Sequence, residues 1–163
     1  MFKNGIAVRT KDTILSEIER LNHVIGERAY ELFRNNRSGI SSAVADWLTA
    51  ERQLVWKPAV ELRRKDGEYE VLAATAGVPA KDLEVQISPE DLLIKAPVHH
   101  QHASSEGDVQ LCEFKSGELF RSIHFPEKVD PRQVHAEYKD GLLRIRVSVA
   151  KKQTPTKIAV TSA

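Results

Sequence analysis

Three histidines in one short segment are the only side chains in the sequence spaced like the ligands of a metal site. His99, His100 and His102 follow a short apolar stretch. In extended backbone His100 and His102 share a face, and two imidazoles can begin a zinc or copper site. No cysteine or paired acidic ligand lies near them in the sequence to complete the coordination. We therefore expect a solvated loop with no metal or cofactor, and an enzyme or metal sensor built on these histidines is one alternative function.

The single cysteine, Cys112, predicts neither a disulfide nor a catalytic pair. One cysteine cannot form an intrachain disulfide, and no cysteine–histidine pair here has the supporting context of a nucleophile. Its place in an apolar pattern predicts a strand over residues 112–114, with Cys112 as a small buried side chain.

The motifs of several enzyme and binding classes are missing from the sequence. It contains no glycine-rich phosphate loop and no G-x-S-x-G segment, and its acidic residues do not form a catalytic-looking pair. Lys and Arg number 24 against 23 Asp and Glu, which excludes a strongly basic nucleic-acid surface. No apolar run is long enough for a signal peptide or a membrane span. We expect a cytoplasmic protein that is not an enzyme and binds neither nucleic acid nor membrane.

The late part of the chain predicts a β-hairpin that needs a second layer to cover it. Asp140-Gly141 is suited to a two-residue type I′ turn, which requires positive φ at both positions. If Lys139 pairs with Leu142, one face of the hairpin becomes entirely apolar. That face comprises Val134, Ala136, Tyr138, Leu143, Ile145 and Val147. A one-residue shift would expose this face, so the pattern specifies the register.

The same design occurs earlier, around a second Asp-Gly turn. With Asp66-Gly67 as the turn, Leu62 opposes Val71. Three more segments alternate in the same way, at residues 83–87, 92–96 and 119–125. Pro97 cannot donate to a ladder and is expected to end the second of them. Short strands at this spacing predict an antiparallel β-sandwich rather than βαβ units.

The N-terminal third has helical periodicity instead. Apolar residues spaced by three and four predict a helix that begins at a cap formed by Asp12 or Thr13. They are Ile14, Ile18, Leu21, Ile25, Ala29, Leu32 and Phe33. A second, shorter helix is capped by Ser41 or Ser42, and its predicted apolar side comprises Val44, Trp47 and Leu48. These stripes must pack against each other, against the domain that follows or against another chain.

The patterns divide the chain into a helical arm (1–57), a β-sandwich (58–150) and a polar, flexible tail (151–163). The tail contains one apolar motif, Ile158-Ala159-Val160. In an extended strand the side chains of Ile158 and Val160 point the same way, which suits a groove at a sheet edge through β-strand addition.

Two segments of the sandwich resemble motifs of the small heat shock proteins, the α-crystallin-domain family. Residues 136–143, AEYKDGLL, are similar to the family's A-x-x-x-n-G-V-L, with Leu142 in place of the usual valine. Residues 116–126, SGELFRSIHFP, are similar to S-G-x-F-x-R-x-F-x-L-P. The resemblance implies a mainly β chain in which a helical arm precedes an antiparallel, immunoglobulin-like sandwich, as in bacterial and plant members.

The resemblance also implies roles for particular residues. Ile158 and Val160 would dock on a neighbouring subunit, in a groove lined by Val85, Ile87, Val134, Ala136 and Tyr138. Arg121 matches an arginine that supports the family's dimer by ion pairing, although an ordinary half-buried strand arginine fits the pattern equally well. The loop over residues 97–110 matches a segment that in bacterial and plant members carries a strand exchanged with a partner subunit.

The function that the resemblance implies is that of an ATP-independent holdase of the stress response. Such a chaperone forms dimers and larger homo-oligomers and keeps partly unfolded client proteins from aggregating. The alternative is a co-chaperone or scaffolding module like the CS domains, without holdase activity. Residues 25–54 also resemble a short bacterial domain of unknown function with an RAYELF…DWLxAExxL pattern, which implies no chemistry.

Overall fold

The structure, a computed structural model, describes residues 2–3, 6–9, 14–36, 42–103 and 107–151. The helices in these ranges are α1 (Ile14–Asn35) and α2 (Ala43–Leu54). The strands are β1 (Phe2–Lys3), β2 (Ile6–Arg9), β3 (Val55–Trp56), β4 (Val60–Lys65), β5 (Glu68–Ala74), β6 (Glu84–Ile87), β7 (Asp91–Val98), β8 (Gly117–His124), β9 (Val129–Lys139) and β10 (Leu142–Val149). The tail motif Ile158-Ala159-Val160 lies outside the described residues.

Two sheets form the sandwich. One has four antiparallel strands in the order β4-β5-β10-β9, and the other has six in the order β1-β2-β6-β7-β8-β3. In the second sheet β2 lies parallel to β6 and β3 lies parallel to β8, while the other pairs are antiparallel. The prediction of a mainly β sandwich with helices before it is confirmed. Three short strands from the predicted helical arm, β1, β2 and β3, join the six-stranded sheet.

Both predicted hairpins have the expected register. Lys139 pairs with Leu142, and the turn residues Asp140 and Gly141 have φ values of 51° and 79°. Leu62 likewise pairs with Val71. The alternating apolar side chains therefore meet between the two sheets, where period-two geometry sends them. Fully buried residues of this core include Val71, Val85, Ile94, Leu119, Leu143 and Ile145.

The two helices form a second core on the outer face of the six-stranded sheet. Leu93 and Phe120 point outward from the sheet and pack against Leu21 and Ile25 of α1 and Ala50 of α2. Leu92 and Ile94, on either side of Leu93, belong to the inner core. β7 is thus buried on both faces, which requires apolar residues at consecutive positions.

Helix α2 agrees with its predicted apolar side only at Trp47, which packs against this core. Val44 and Leu48 are exposed, whereas Asp46 and Ala50 are buried. Ser42 caps the helix as expected, because its Oγ accepts a hydrogen bond from the Ala45 amide at 3.1 Å. The orientation follows from the chain direction after the helix, since α2 runs straight into β3. The Leu54 carbonyl oxygen then lies so close to Gly117 (φ 154°) that a Cβ at this position would overlap with it.

Helix α1 agrees with its predicted stripe except at its C-terminal end. Ile14, Leu21, Ile25 and Ala29 are buried, but Phe33 is exposed. The predicted caps Asp12 and Thr13 lie outside the described residues. No helix in the part of the chain that the structure describes combines the length and apolar composition needed to cross a membrane.

Two strand predictions around the β7–β8 loop are wrong. β7 continues through Pro97 to Val98, and Pro97 pairs with Glu118 of β8. Because the last β7 residue paired with β6 is Lys95, β7 has an open side at Pro97 where the missing N–H is tolerated. Residues 112–114 form no strand, and Cys112 is exposed rather than buried.

Candidate functional site

The predicted docking groove lies between β6 and β9, at one edge of the sandwich. Val85, Ile87 and Ala136 are fully buried there. Val134 and Tyr138 are half-buried and pack against the same core. The five predicted groove residues therefore surround one apolar region, but most of their surface is already covered by the chain itself.

The cover over this edge is β2. Ala7, Val8 and Arg9 pair with Glu84, Val85 and Gln86 in parallel register. Ile6 is fully buried in the sandwich core, and Val8 packs against it. Gln86, expected on the solvent side of an alternating strand, is buried, because it pairs with Leu93 on the sheet face that the helices cover.

Residues 6–8 have the same sequence as the tail motif. Ile6-Ala7-Val8 and Ile158-Ala159-Val160 are both Ile-Ala-Val. The segment that occupies the edge of β6 thus carries the side chains that were expected to arrive from the tail. The repeated tripeptide is the sequence signal that could have identified β2 as an edge strand. Its burial is visible only in the fold, since an isolated strand of four residues is not stable.

Arg121 lies in β8 opposite Ile94. Its Nε is buried and has no hydrogen-bond partner among the described residues. Leaving a buried donor unpaired costs on the order of 1–3 kcal/mol, and more when the group is charged. The Arg121 Nε is therefore available to donate a hydrogen bond to an acceptor from outside the described residues.

The turn of residues 140–141 is in close contact with the loop that follows β5. The Thr75 amide donates a hydrogen bond to the Gly141 carbonyl at 2.9 Å. A Cβ on Gly141 would lie 2.8 Å from the Ala76 Cβ, so this position needs glycine for space as well as for its positive φ. Gly141, which lies in the segment that resembles the signature, thus has a packing role in this chain.

Ion pairs join α1 to the six-stranded sheet. Lys95 Nζ lies 2.7 Å from a Glu17 carboxylate oxygen, and Arg20 contacts both Glu17 at 3.0 Å and Glu118 at 2.6 Å. Burial alone would raise the pKa of Glu17, but hydrogen bonds from Lys95 and Arg20 outweigh it and lower the pKa below the ordinary carboxyl value. The helix is therefore attached by charge as well as by apolar packing.

Large apolar side chains remain exposed near the connection between the helices. Tyr30 and Phe33, in the last turns of α1, are 62% and 58% exposed. Val44 and Leu48, in the first turns of α2, are 69% and 46% exposed. We call these four residues the arm patch.

The histidine cluster differs from expectation in one respect. His100, His102 and Cys112 each offer a ligand atom, and these atoms all lie within 4.8 Å of one another. The inference that no cysteine lies near the histidines was wrong, because the β7–β8 pairing brings the two ends of the loop together. His99 is not part of this cluster. Cys112 lies ten residues after His102, so local spacing in the sequence does not predict their contact.

Several proteins similar in sequence to this chain are named heat shock proteins. A probable 15 kDa heat shock protein of Leptospira interrogans is 28% identical over 113 residues, which cover 69% of this chain and 85% of the relative. Small heat shock protein C4 of Rickettsia felis is 23% identical over 142 residues, 86% of each chain. Among solved structures, heat shock protein 16.0 of Schizosaccharomyces pombe matches with a TM-score of 0.54 and 26% identity, covering 65% of this chain and 99% of that one.

The family match covers most of the sandwich and extends into the tail. The Hsp20/alpha crystallin family matches residues 61–161, well over half of the 163 residues. The chain therefore belongs to the Hsp20/alpha crystallin family, the small heat shock proteins, which are ATP-independent chaperones and not enzymes.

Proposed function

We propose that this chaperone is a holdase that binds partly unfolded proteins and prevents their aggregation. The observation that carries the proposal is the arm patch, Tyr30, Phe33, Val44 and Leu48. Exposed apolar groups of this size attract the apolar surface that a destabilised protein exposes. Binding of this kind needs no fixed client sequence and no nucleotide.

The surroundings of the arm patch suit a chaperone that must stay dispersed. Arg28 and Glu31 form an ion pair at 2.9 Å on the same helix as Tyr30 and Phe33. The arm itself is held on the sandwich by its buried face, so client contacts on the outer face need not unfold it. In an assembly of several copies, many weak contacts with one client protein would together give tight binding.

The test is light scattering of a heat-labile client protein without nucleotide. A variant with Tyr30→Ser, Phe33→Ser, Val44→Ser and Leu48→Ser should require several-fold more chaperone for equal protection. Leu142→Ser is the matched control, because Leu142 is also exposed, at 40%, but lies at the start of β10. Helix content by circular dichroism must stay unchanged in both variants. Full protection by the quadruple variant would overturn the proposal, and a folded wild type without protection would favour the co-chaperone alternative.

We also propose that the tail motif binds the β6–β9 groove of another copy and exchanges there with β2. Three features support this: the apolar groove residues, the parallel pairing of β2 with β6, and the identity of residues 6–8 with 158–160. A tail could add to the edge of β6 only after β2 leaves, so the two segments would compete. A small heat-shock protein of Xylella fastidiosa, similar in fold with a TM-score of 0.53, is described as having a distinct high order structure.

The dimer is proposed to use Arg121. Its buried, unpaired Nε supports this role, because a carboxylate from a partner copy would satisfy it. An exchanged strand in the loop over residues 97–110 also stays a prediction, as does the cytoplasmic location. Within the single chain, residues 97–98 of this loop belong to β7, and residues 99–103 and 107–110 form no strand.

A further inference from the structure

A thiol and two imidazoles meet at the loop between β7 and β8. His100 and His102 have ring centroids 4.6 Å apart with the rings nearly perpendicular. Cys112 approaches from the other side of the loop, and one ligand atom from each of the three lies within 4.8 Å of the others. The role proposed above for the chain does not use this cluster.

We propose that His100, His102 and Cys112 form a zinc site. Zinc binds imidazole nitrogen and thiolate sulfur at roughly 2.0–2.3 Å, so two nitrogens and one sulfur around one tetrahedral ion lie about 3.3–3.6 Å apart. His102 and Cys112 are exposed, and rotation of their side chains can close the remaining ångström. Three protein ligands leave a fourth position for water.

The donor set selects the class of metal. Calcium and magnesium prefer oxygen ligands, and none of these three side chains offers one. A thiolate with two imidazoles suits zinc or copper, and the proposal is zinc because it has no redox chemistry and accepts tetrahedral coordination with one open position. The thiol must lose its proton to bind, so zinc uptake should release a proton and weaken as the pH falls.

One atom of the cluster lacks a partner that a metal would provide. His100 Nε2 is buried and has no hydrogen-bond partner among the described residues. A buried ring nitrogen without a partner is unfavourable, and coordination to a cation satisfies it. A ligand role for His100 through this nitrogen would give it the partner that it lacks.

The rest of His100 is held in place. Its amide donates to Ser116 Oγ at 2.9 Å, and the same hydroxyl donates to the His100 carbonyl at 3.2 Å. Its ring stacks on Phe114 at a centroid distance of 4.6 Å. These contacts join the end of β7 to the start of β8, so the ring is oriented before any metal arrives.

The experiment is calorimetric titration of the full chain with zinc chloride, with the thiol kept reduced. We expect one zinc ion per chain, and a loss of affinity of roughly tenfold or more in Cys112→Ser and in His102→Ala. His99→Ala is the matched control, because His99 is an exposed neighbour outside the cluster. It should bind zinc as tightly as the wild type does.

Cobalt binding gives a second readout that identifies the ligand atom. The wild type and His99→Ala should show a thiolate-to-cobalt charge-transfer band, and Cys112→Ser should not. All variants should keep the wild-type circular dichroism spectrum, because the substituted side chains are exposed. The proposal is overturned if the wild type takes up no zinc, if it binds half an ion per chain, if His99→Ala weakens binding as much as His102→Ala, or if the band survives in Cys112→Ser.

Discussion

At the scale of single residues, two Asp-Gly turns have the same backbone and different surroundings. Gly67 and Gly141 have φ values of 80° and 79°. No atom lies within 4 Å of a Cβ built on Gly67, whereas one built on Gly141 would lie 2.8 Å from the Ala76 Cβ. The turn type follows from the sequence, but the contact with Ala76 depends on how β5 and β10 pack. Substituting alanine at Gly67 and at Gly141 therefore separates the free-energy cost of the backbone conformation from that of steric crowding.

Gly141→Ala is therefore expected to destabilise the protein more than Gly67→Ala does. Gly67→Ala should lower the free energy of unfolding by about 1 kcal/mol, the cost of a left-handed conformation in a residue with a Cβ. Gly141→Ala should lose about 1–3 kcal/mol more, because the added methyl must push Ala76 aside. Urea unfolding at equal protein concentration measures both. Equal losses of unfolding free energy in the two variants would mean that the loop after β5 moves aside at no cost in free energy.

At the scale of elements, the helices and the sandwich are joined by a contact that responds to pH. Lys95 of β7 and Arg20 of α1 hydrogen-bond Glu17 and lower the pKa of its carboxyl group below that of the unfolded chain. The charged form is therefore favoured by folding. Its contribution is complete at pH values above the ordinary carboxyl pKa and is lost as the pH falls through the lowered value.

Glu17→Gln should test this contact. At pH 7 it should lower the free energy of unfolding by on the order of 1–2 kcal/mol, since it weakens hydrogen bonds between charged groups. The difference from wild type should shrink as the pH falls from the ordinary carboxyl pKa through the lowered pKa of folded Glu17, because the wild-type carboxylate then becomes protonated. Glu19→Gln, at an exposed position on the same helix, is the control and should leave the free energy of unfolding at pH 7 close to that of the wild type. A difference that stays constant with pH would contradict the ion-pair explanation.

At the scale of the whole molecule, two copies of one tripeptide belong to opposite ends of the chain. Ile6-Ala7-Val8 covers the edge of β6 within the subunit, and Ile158-Ala159-Val160 is proposed to reach the same edge of another subunit. An uncovered sheet edge invites pairing with any available strand. Assembly size should therefore depend on the balance between the two segments.

The two double variants should change assembly in opposite directions. Ile158→Ala with Val160→Ala should reduce the particle to dimers or other small species, because the linking side chains are lost. Ile6→Ala with Val8→Ala should favour larger or more stable assemblies, because the internal competitor is weakened. Light scattering coupled to gel filtration measures both sizes.

A labelled peptide of residues 156–163 provides the check on mechanism. In a fluorescence anisotropy titration, this peptide should bind the Ile6→Ala, Val8→Ala variant more tightly than it binds the wild type. The same peptide with Ile158→Ala and Val160→Ala is the control and should bind neither. Equal affinity of the unmodified peptide for wild type and variant would place tail docking elsewhere.

Local patterns in the sequence determined the hairpins and the first helix. Asp140-Gly141 and the alternation from Val134 to Val147 specify one register, because the turn fixes the pairing and a one-residue shift would expose the apolar face. The spacing of Ile14, Leu21 and Ile25 likewise specified the buried face of α1. Such features depend on neighbours within a few residues or across one tight turn, so their energetics can be estimated from the sequence.

Only the tertiary structure decided which distant segments meet. The face of α2 that is buried, the place of β2 at the edge of β6 and the approach of Cys112 to His100 all depend on contacts between segments far apart in the chain. Several apolar segments have the same local pattern and could cover the same edge, as the repeated Ile-Ala-Val shows. The choice among them is made by total packing and backbone pairing in the folded chain, which no local periodicity specifies.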